Sequence, residues 1–298
     1  MKTVYLGTSD FAVTVLQRLF ASDHRPSLVV TRPDRPAGRG RKLHTPPVAV
    51  AAHELGLPVF QPENLSSDEA TAAVLAEAPE ALIVCAYGAI VREPLLSAAP
   101  IYNVHPSLLP RWRGAAPIER AIAAGDEHTG VSIMQLEEGL DSGPVAIQES
   151  VELQHGETYG SLAPRLADLG AELLVRALDE QPPFTPQPED GITYAEKITA
   201  EDRTLDPTAP AVRNARMVRA LSPHIGTRVA LPDGSMLGVH AARIAEGADG
   251  DAMPAQADQQ LVIDGESVRL GALELLRVQP AGGKPMDASA WLRGRAGR

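Results

Sequence analysis

The first 180 residues alternate short apolar runs with amphipathic stretches; the last ninety hold short, alternating runs broken by turn residues. "TVYLG" at 3–7 predicts a strand, and Ser9-Asp10 supplies a cap signal for a helix through about Ala21. "SLVVT" at 27–31 predicts a second strand and "LPVFQ" at 57–61 a third, with a helix from about Pro46 to Leu55 closed by Gly56 between them. Residues 66–78 are Ala-rich and helical. "ALIVCAYG" at 81–88 is continuously apolar, the pattern of a strand buried on both faces, and "IYNVH" at 101–105 is another strand. Ala115 to Ala124 reads as a helix closed by Gly125, "GVSIMQL" at 130–136 and "PVAIQES" at 144–150 as strands, and Glu157 to Leu178 as one long amphipathic helix. Strands alternating with helices predict an α/β, doubly wound domain.

From Gln181 the texture changes. "EQPPFTPQPEDG" carries four prolines and suits an extended linker. A helical pattern follows from Pro210 to Leu221, then "TRVALPDGSMLGVHAARI" and "QLVIDGESVRLGALELLRV", each with an Asp-Gly turn signal. Short strands joined by turns predict a small, OB-like β-barrel. The expected organisation is a first domain at 1–180, a linker at 181–205 and a second domain at 206–298.

Composition narrows the classes. No run approaches the ~20 apolar residues of a membrane span, and "MKTVYLGTSDF" reads directly as a strand rather than a signal peptide. A cytoplasmic monomer without membrane contact is expected. The single cysteine, Cys85, excludes an intrachain disulfide and a Cys-rich zinc site, and its apolar run makes it a buried small hydrophobe. No H-x-x-x-H pair occurs, so no metal is expected. The net charge of -11 argues against a general nucleic-acid binder. One local patch runs the other way: "TRPDRPAGRGRK", Thr31 to Lys42, holds Arg32, Arg35, Arg39, Arg41 and Lys42 against Asp34 alone. The first turn, "GTSDF", lacks the G-x-G-x-x-G of a dinucleotide site, and no Walker sequence is present.

The chemistry-bearing stretch is "NVHPSLLPRWRGAAP", Asn103 to Pro117. It is too apolar for a solvated connector and too rich in proline for a helix or central strand. Asn103 and His105 stand two apart at the end of an apolar run, hence on one side of a strand, near the crevice where doubly wound sheets bind ligands. Asp141 lies between Gly139 and Gly143 in "EEGLDSGPV". An Asp there is ordinarily a turn former, and a lone His on a strand is ordinarily packed core. Together the three can do more. A carboxamide N–H can donate to a developing oxyanion, an imidazole exchanges protons near neutrality, and a carboxylate can orient it or relay a proton. No nucleophile is obvious, which favours direct transfer between two substrates.

These residues resemble the folate-dependent formyltransferase family. The resemblance is carried by the run from "NVHPSLLPRWRG" to "EEGLDSGPV" and by "TRPDRPAGRGRKL", "VFQPENL", "AYGAIV", "TYAEKIT" and "VQPAGGKPM", so it covers nearly the whole chain. It implies a Rossmann-like formyltransferase domain, catalytic roles for Asn103, His105 and Asp141, and a folate-contacting turn at Ser107, Leu108, Leu109 and Pro110. The donor would be 10-formyltetrahydrofolate. The basic insertion and the second domain point within the family to transfer onto the methionine of initiator Met-tRNA, with Arg35, Arg39, Arg41 and Lys42 as tRNA-binding residues. Transfer to a small amine such as a sugar nucleotide or glycinamide ribotide, release of the formyl group to water, and a non-catalytic RNA-binding module remain as alternatives.

Overall fold

The computed structural model describes residues 1–37, 42–255, 260–263 and 267–296. In chain order the first elements are β1 (Thr3–Gly7), α1 (Asp10–Phe20), β2 (Pro26–Val30), β3 (Arg35–Ala37), β4 (Lys42–His44), α2 (Pro47–Glu54), β5 (Val59–Phe60), α3 (Asp68–Ala76) and β6 (Ala81–Cys85). Next come α4 (Leu95–Ala98), β7 (Ile101–His105), β8 (Arg113–Gly114), α5 (Pro117–Ala124), β9 (His128–Gln135), β10 (Val145–Glu152), α6 (Tyr159–Glu180) and β11 (Tyr194–Ala195). The chain finishes with α7 (Ala211–Ala220), β12 (Thr227–Ala230), β13 (Met236–Ile244), β14 (Leu261–Ile263), β15 (Val268–Leu270), β16 (Leu273–Gln279), β17 (Met286–Asp287) and α8 (Ala288–Ala296). Two compact units result: the described residues of Met1–Gly114, with Thr129–Val151 and Ala163–Tyr194, in the first; Ala115–His128, Glu152–Leu162 and the described residues of Ala195–Arg298 in the second.

The first unit is built on a seven-stranded sheet in the order β10-β9-β7-β6-β1-β2-β5. The pairs β1–β2, β1–β6, β2–β5 and β6–β7 are parallel, and β9 returns antiparallel to β7. Strands β1, β6 and β7 are buried at every residue, which is why β1 and β6 read as almost wholly apolar, while β7 carries the buried polar pair Asn103 and His105. After β5 the chain crosses back to lay β6 beside β1. The order reverses there, so the crevice beyond the carboxyl ends of β1 and β6 is the ligand-binding position of this fold class. Helix α1 buries Ala12, Val15, Leu16 and Leu19, one stripe at helical spacing. Gly7 permits its close approach: a Cβ there would stand 3.0 Å from the Ala12 Cβ and 3.1 Å from the Cys85 carbonyl. Cys85 is fully buried, and burial pushes its thiol up to about 12, an inert core residue as expected.

Three expectations need correction. Ser9 stands at the cap of α1, but its side chain makes no capping bond; its carbonyl accepts from the N–H groups of Ala12 and Val13 instead. The strand expected over 57–61 shrinks to Val59–Phe60, an edge strand preceded by Pro58, which has no N–H to donate. No strand was expected in the basic stretch, yet its flanks pair as an antiparallel ribbon, with Arg35 opposite His44, Pro36 opposite Leu43 and Ala37 opposite Lys42. Pro36 is tolerated because a two-stranded ribbon is all edge.

In the second unit the strands form an antiparallel sheet, β12-β13-β16-β15-β14, with β17 paired to β16, the sheet of a small-barrel domain. Alternate residues supply its core, among them Val229, Leu237, Val239, Leu273 and Leu275, onto which α7 packs Ala211 and Val218. The Asp233-Gly234 turn joins β12 to β13 as expected, with Gly234 at φ 82° and the Asp233 carboxylate accepting from the Ser235 N–H. The other Asp-Gly signal, Asp264-Gly265, lies outside the described residues.

Candidate active site

Asn103 and His105 end strand β7, in register with Met134 and Ser132 of β9. Both are buried, at 7% and 4% exposure. Among the described residues the Asn103 carboxamide takes no hydrogen-bond partner. A mostly buried amide left open costs folding about 1–3 kcal/mol, and its N–H groups remain free to donate to a substrate.

His105 is held at its far nitrogen: Nε2 lies 2.9 Å from the carbonyl oxygen of Trp112. A carbonyl only accepts, so Nε2 carries a proton, and Nδ1 is the nitrogen left to work. Nδ1 lies 3.7 Å from Asp141 Oδ2, both groups being nearly buried. That is ion-pair distance but too long for a direct hydrogen bond. The residue expected to hold the imidazole therefore stands beside it, and the holding bond comes from a backbone carbonyl seven residues on.

Trp112 reaches that position with φ 64°, a left-handed conformation unfavourable for a bulky residue. Its N–H donates to Thr193 Oγ1 at 2.9 Å, and the N–H of Arg113 donates to the Thr193 carbonyl at 2.9 Å. Asp141 has φ 46°, and its Oδ2 accepts from the Gly114 N–H at 2.8 Å. Two non-glycine residues in left-handed backbone flanking one imidazole mark the kind of over-determined geometry that functional sites retain.

Ser107, Leu108, Leu109 and Pro110 follow His105 as a tight turn. Ser132 Oγ donates to the Ser107 carbonyl at 2.6 Å and accepts from the Leu109 N–H at 3.2 Å. The Gln148 amide donates to Ser132 Oγ at 2.8 Å and to the Leu109 carbonyl at 3.0 Å. Most of the turn's backbone groups are thus satisfied within the protein. Among the described residues the Leu108 N–H is open, with Leu108 and Pro110 half-buried around it. Apolar side chains framing a free N–H fit a flat ring with a polar edge.

The segment expected as linker supplies the rest. Phe184 packs on Tyr102, ring centroids 5.4 Å apart, and Thr185 pairs with Val145. Gln187 and Thr193 then reach the Asp141 loop and Trp112. Sequence reasoning missed both, along with Ser132 and Gln148. Ser132 had a signal, a hydroxyl inside the apolar run "GVSIMQL"; a glutamine in a polar, Pro-rich stretch has none.

Of the expected tRNA-binding residues, Arg35 lies on β3 in an exposed ion pair with Glu63. Arg39, Arg41 and the side chain of Lys42 lie outside the described residues. The foot of the ribbon is pinned through Asp34, whose carboxylate accepts from Gln61 Nε2 and Thr45 Oγ1, each at 2.9 Å. Among the described residues no group of three or more His, Cys, Asp or Glu is placed to hold a metal ion.

A doubly wound sheet with an open amide, a tethered imidazole and a carboxylate at the ligand-binding end has the groups that transfer to or from a carbonyl carbon requires. The comparisons with known proteins make this specific. The "Formyl transferase" model matches residues 1–178, and the "Formyl transferase, C-terminal domain" model matches 197–296. The chain belongs to the formyl transferase family. It is 46% identical over 304 residues to the methionyl-tRNA formyltransferase of Halorhodospira halophila, covering 99% of this chain and 96% of that one. A second relative of that name, from Ruegeria pomeroyi, is 44% identical over 299 residues, covering 99% and 97%. Among solved structures, the methionyl-tRNA formyltransferase of Clostridium thermocellum shares the fold with a TM-score of 0.58 at 14% identity, over 83% of this chain and 95% of that one.

Proposed function

We propose that this protein transfers the formyl group of 10-formyltetrahydrofolate to the α-amino group of methionine on initiator Met-tRNA. The observation that carries the chemistry is the constellation of the open Asn103 amide, His105 with Nδ1 free, and Asp141 at 3.7 Å. Relatives bearing the tRNA enzyme's name, matched end to end, carry the choice of acceptor. When bound, the folate supplies an activated formyl carbon, and Leu108, Leu109 and Pro110 would wall its ring.

The residues divide the work. Asn103 donates an N–H to the formyl oxygen as charge develops during attack by the amine. His105, its Nε2–H committed to Trp112, offers Nδ1–H to the same oxygen in its protonated form. Asp141 balances that charge and accepts the proton released by the amine. The proton then passes to the departing folate nitrogen, so atoms and charge balance without an external reagent.

In this reading residues 1–180 form the catalytic domain, 181–205 the connection, and 206–298 the tRNA-binding domain. The basic ribbon contributes Arg35, Arg39, Arg41 and Lys42 to the tRNA contact. Arginine suits that task because its planar fork pairs with phosphate or stacks on a base. The enzyme acts as a cytoplasmic monomer; no helix among the described residues is long and apolar enough to cross a membrane. The reading is tested by offering the formyl donor with Met-tRNA, small amines or water alone and identifying the formylated product.

A further inference from the structure

We propose that Gln187 is a positioning residue that fixes Asp141 against His105, which makes part of the Pro-rich segment after α6 a component of the active site; this rests on the formyl-transfer reading above. The Gln187 carboxamide has every polar site engaged. Its Oε1 accepts from Arg113 Nε at 3.0 Å and from Arg113 Nη2 at 2.7 Å. Its Nε2 donates to the carbonyl of Asp141 at 2.8 Å and to the carbonyl of Gly143 at 2.7 Å. These are the two acceptor and two donor positions that a carboxamide offers.

The direction of that amide follows from its neighbour. Arg113 is buried at 9% exposure, and a guanidinium cannot accept a hydrogen bond. The oxygen of Gln187 must face Arg113, and the NH2 is thereby turned onto the Asp141 loop. The loop gains from being held, because Asp141 sits at φ 46°, a left-handed conformation that costs most residues about 1–2 kcal/mol and that aspartate adopts only occasionally, as a single residue. Gly114, next in the chain after Arg113, donates its N–H to Asp141 Oδ2. The Arg113-Gly114 dipeptide therefore holds Asp141 twice: at the carboxylate directly, and at the backbone through Gln187. Release of the backbone bond leaves the carboxylate pivoting on a single contact, and displacements of about 1 Å at a reacting group cost on the order of 100-fold in rate.

Gln187→Glu is the discriminating change. It keeps the length and the contact with Arg113, but it replaces both donors with an oxygen that repels the two carbonyls. Formyl transfer to Met-tRNA is expected to lose on the order of 10- to 100-fold in kcat, with KM for the folate and for Met-tRNA unchanged. If Gln187 acts through Asp141, the same change in an Asp141→Ala background brings no further loss. A role confined to stapling the segment would give the same fold loss in both backgrounds and would overturn the proposal, as would full kcat in Gln187→Glu. Gln187→Met, which removes all four bonds at similar length, runs the same cycle if the charged variant fails to fold. Wild-type protein inert toward Met-tRNA would sink the underlying reading and this proposal with it; an active wild type with an additive cycle sinks the positioning role alone.

Discussion

The end of β7 and the Asp141 loop bring groups to the same imidazole by different means. Asn103 and His105 are placed by a strand: five buried residues, a parallel neighbour on one side and an antiparallel one on the other fix their direction before any side chain is considered. Asp141 has no such ladder. It sits between β9 and β10 in left-handed backbone, and its position depends on bonds from Gly114 and Gln187. The strand gives a rigidity that survives changes in its surroundings. The loop gives a carboxylate that can be tuned, at the cost of needing a clamp.

The comparison is broken most severely at the strand. Asn103→Ala or His105→Ala is expected to lower turnover ~100- to 1000-fold, the usual effect of removing one oxyanion donor. Folate binding should stay near wild type, which equilibrium titration of the variants checks. At the loop, Asp141→Asn keeps an oxygen able to accept from Gly114 but removes the charge beside His105. Turnover should fall on the order of 10- to 100-fold, with a changed pH–rate profile. A pure turn former would show neither effect, since Asn serves turns as well as Asp. Between the two regions, Ser132→Ala leaves the buried Leu109 N–H without its partner, at about 1–3 kcal/mol. Thermal unfolding should register that loss, and the folate dissociation constant should rise because the turn after His105 loosens. Last and smallest, Arg39→Ala with Arg41→Ala should leave stability and folate binding alone and raise the KM for Met-tRNA, by a factor that is largest at low salt and shrinks as salt is added, because the variant has fewer phosphate contacts to screen. Unchanged tRNA kinetics at low and moderate salt would remove the ribbon from the tRNA interface and favour a small-amine acceptor.

Legibility in the sequence followed the same division. Strands buried on both faces were readable where burial demands an unbroken apolar run, as in "ALIVC". Asn103 and His105 were readable because a polar pair ending such a run has no packing reason to be there. The edge strand at Val59–Phe60 was overestimated, since the sequence pattern did not show that only β2 would pair with it. The ribbon of β3 and β4 was missed because arginine, proline and glycine are poor strand signals, and pairing rather than propensity makes that structure. The clamp was invisible for a different reason. Trp112 contributes a carbonyl, which every residue has, and Gln187 gains its role only when the chain after α6 folds back along β10 at Thr185.

The central claim is that this constellation moves a formyl group from folate to the methionine amine of Met-tRNA. Wild-type protein incubated with 10-formyltetrahydrofolate and Met-charged initiator tRNA tests it most directly, with the aminoacyl bond then hydrolysed and the released amino acid identified by mass spectrometry. The account predicts formylmethionine, formed with wild-type protein and nearly lost with His105→Ala. Unmodified methionine with free formate in solution, or a formyl group found only on an added small amine, would contradict it.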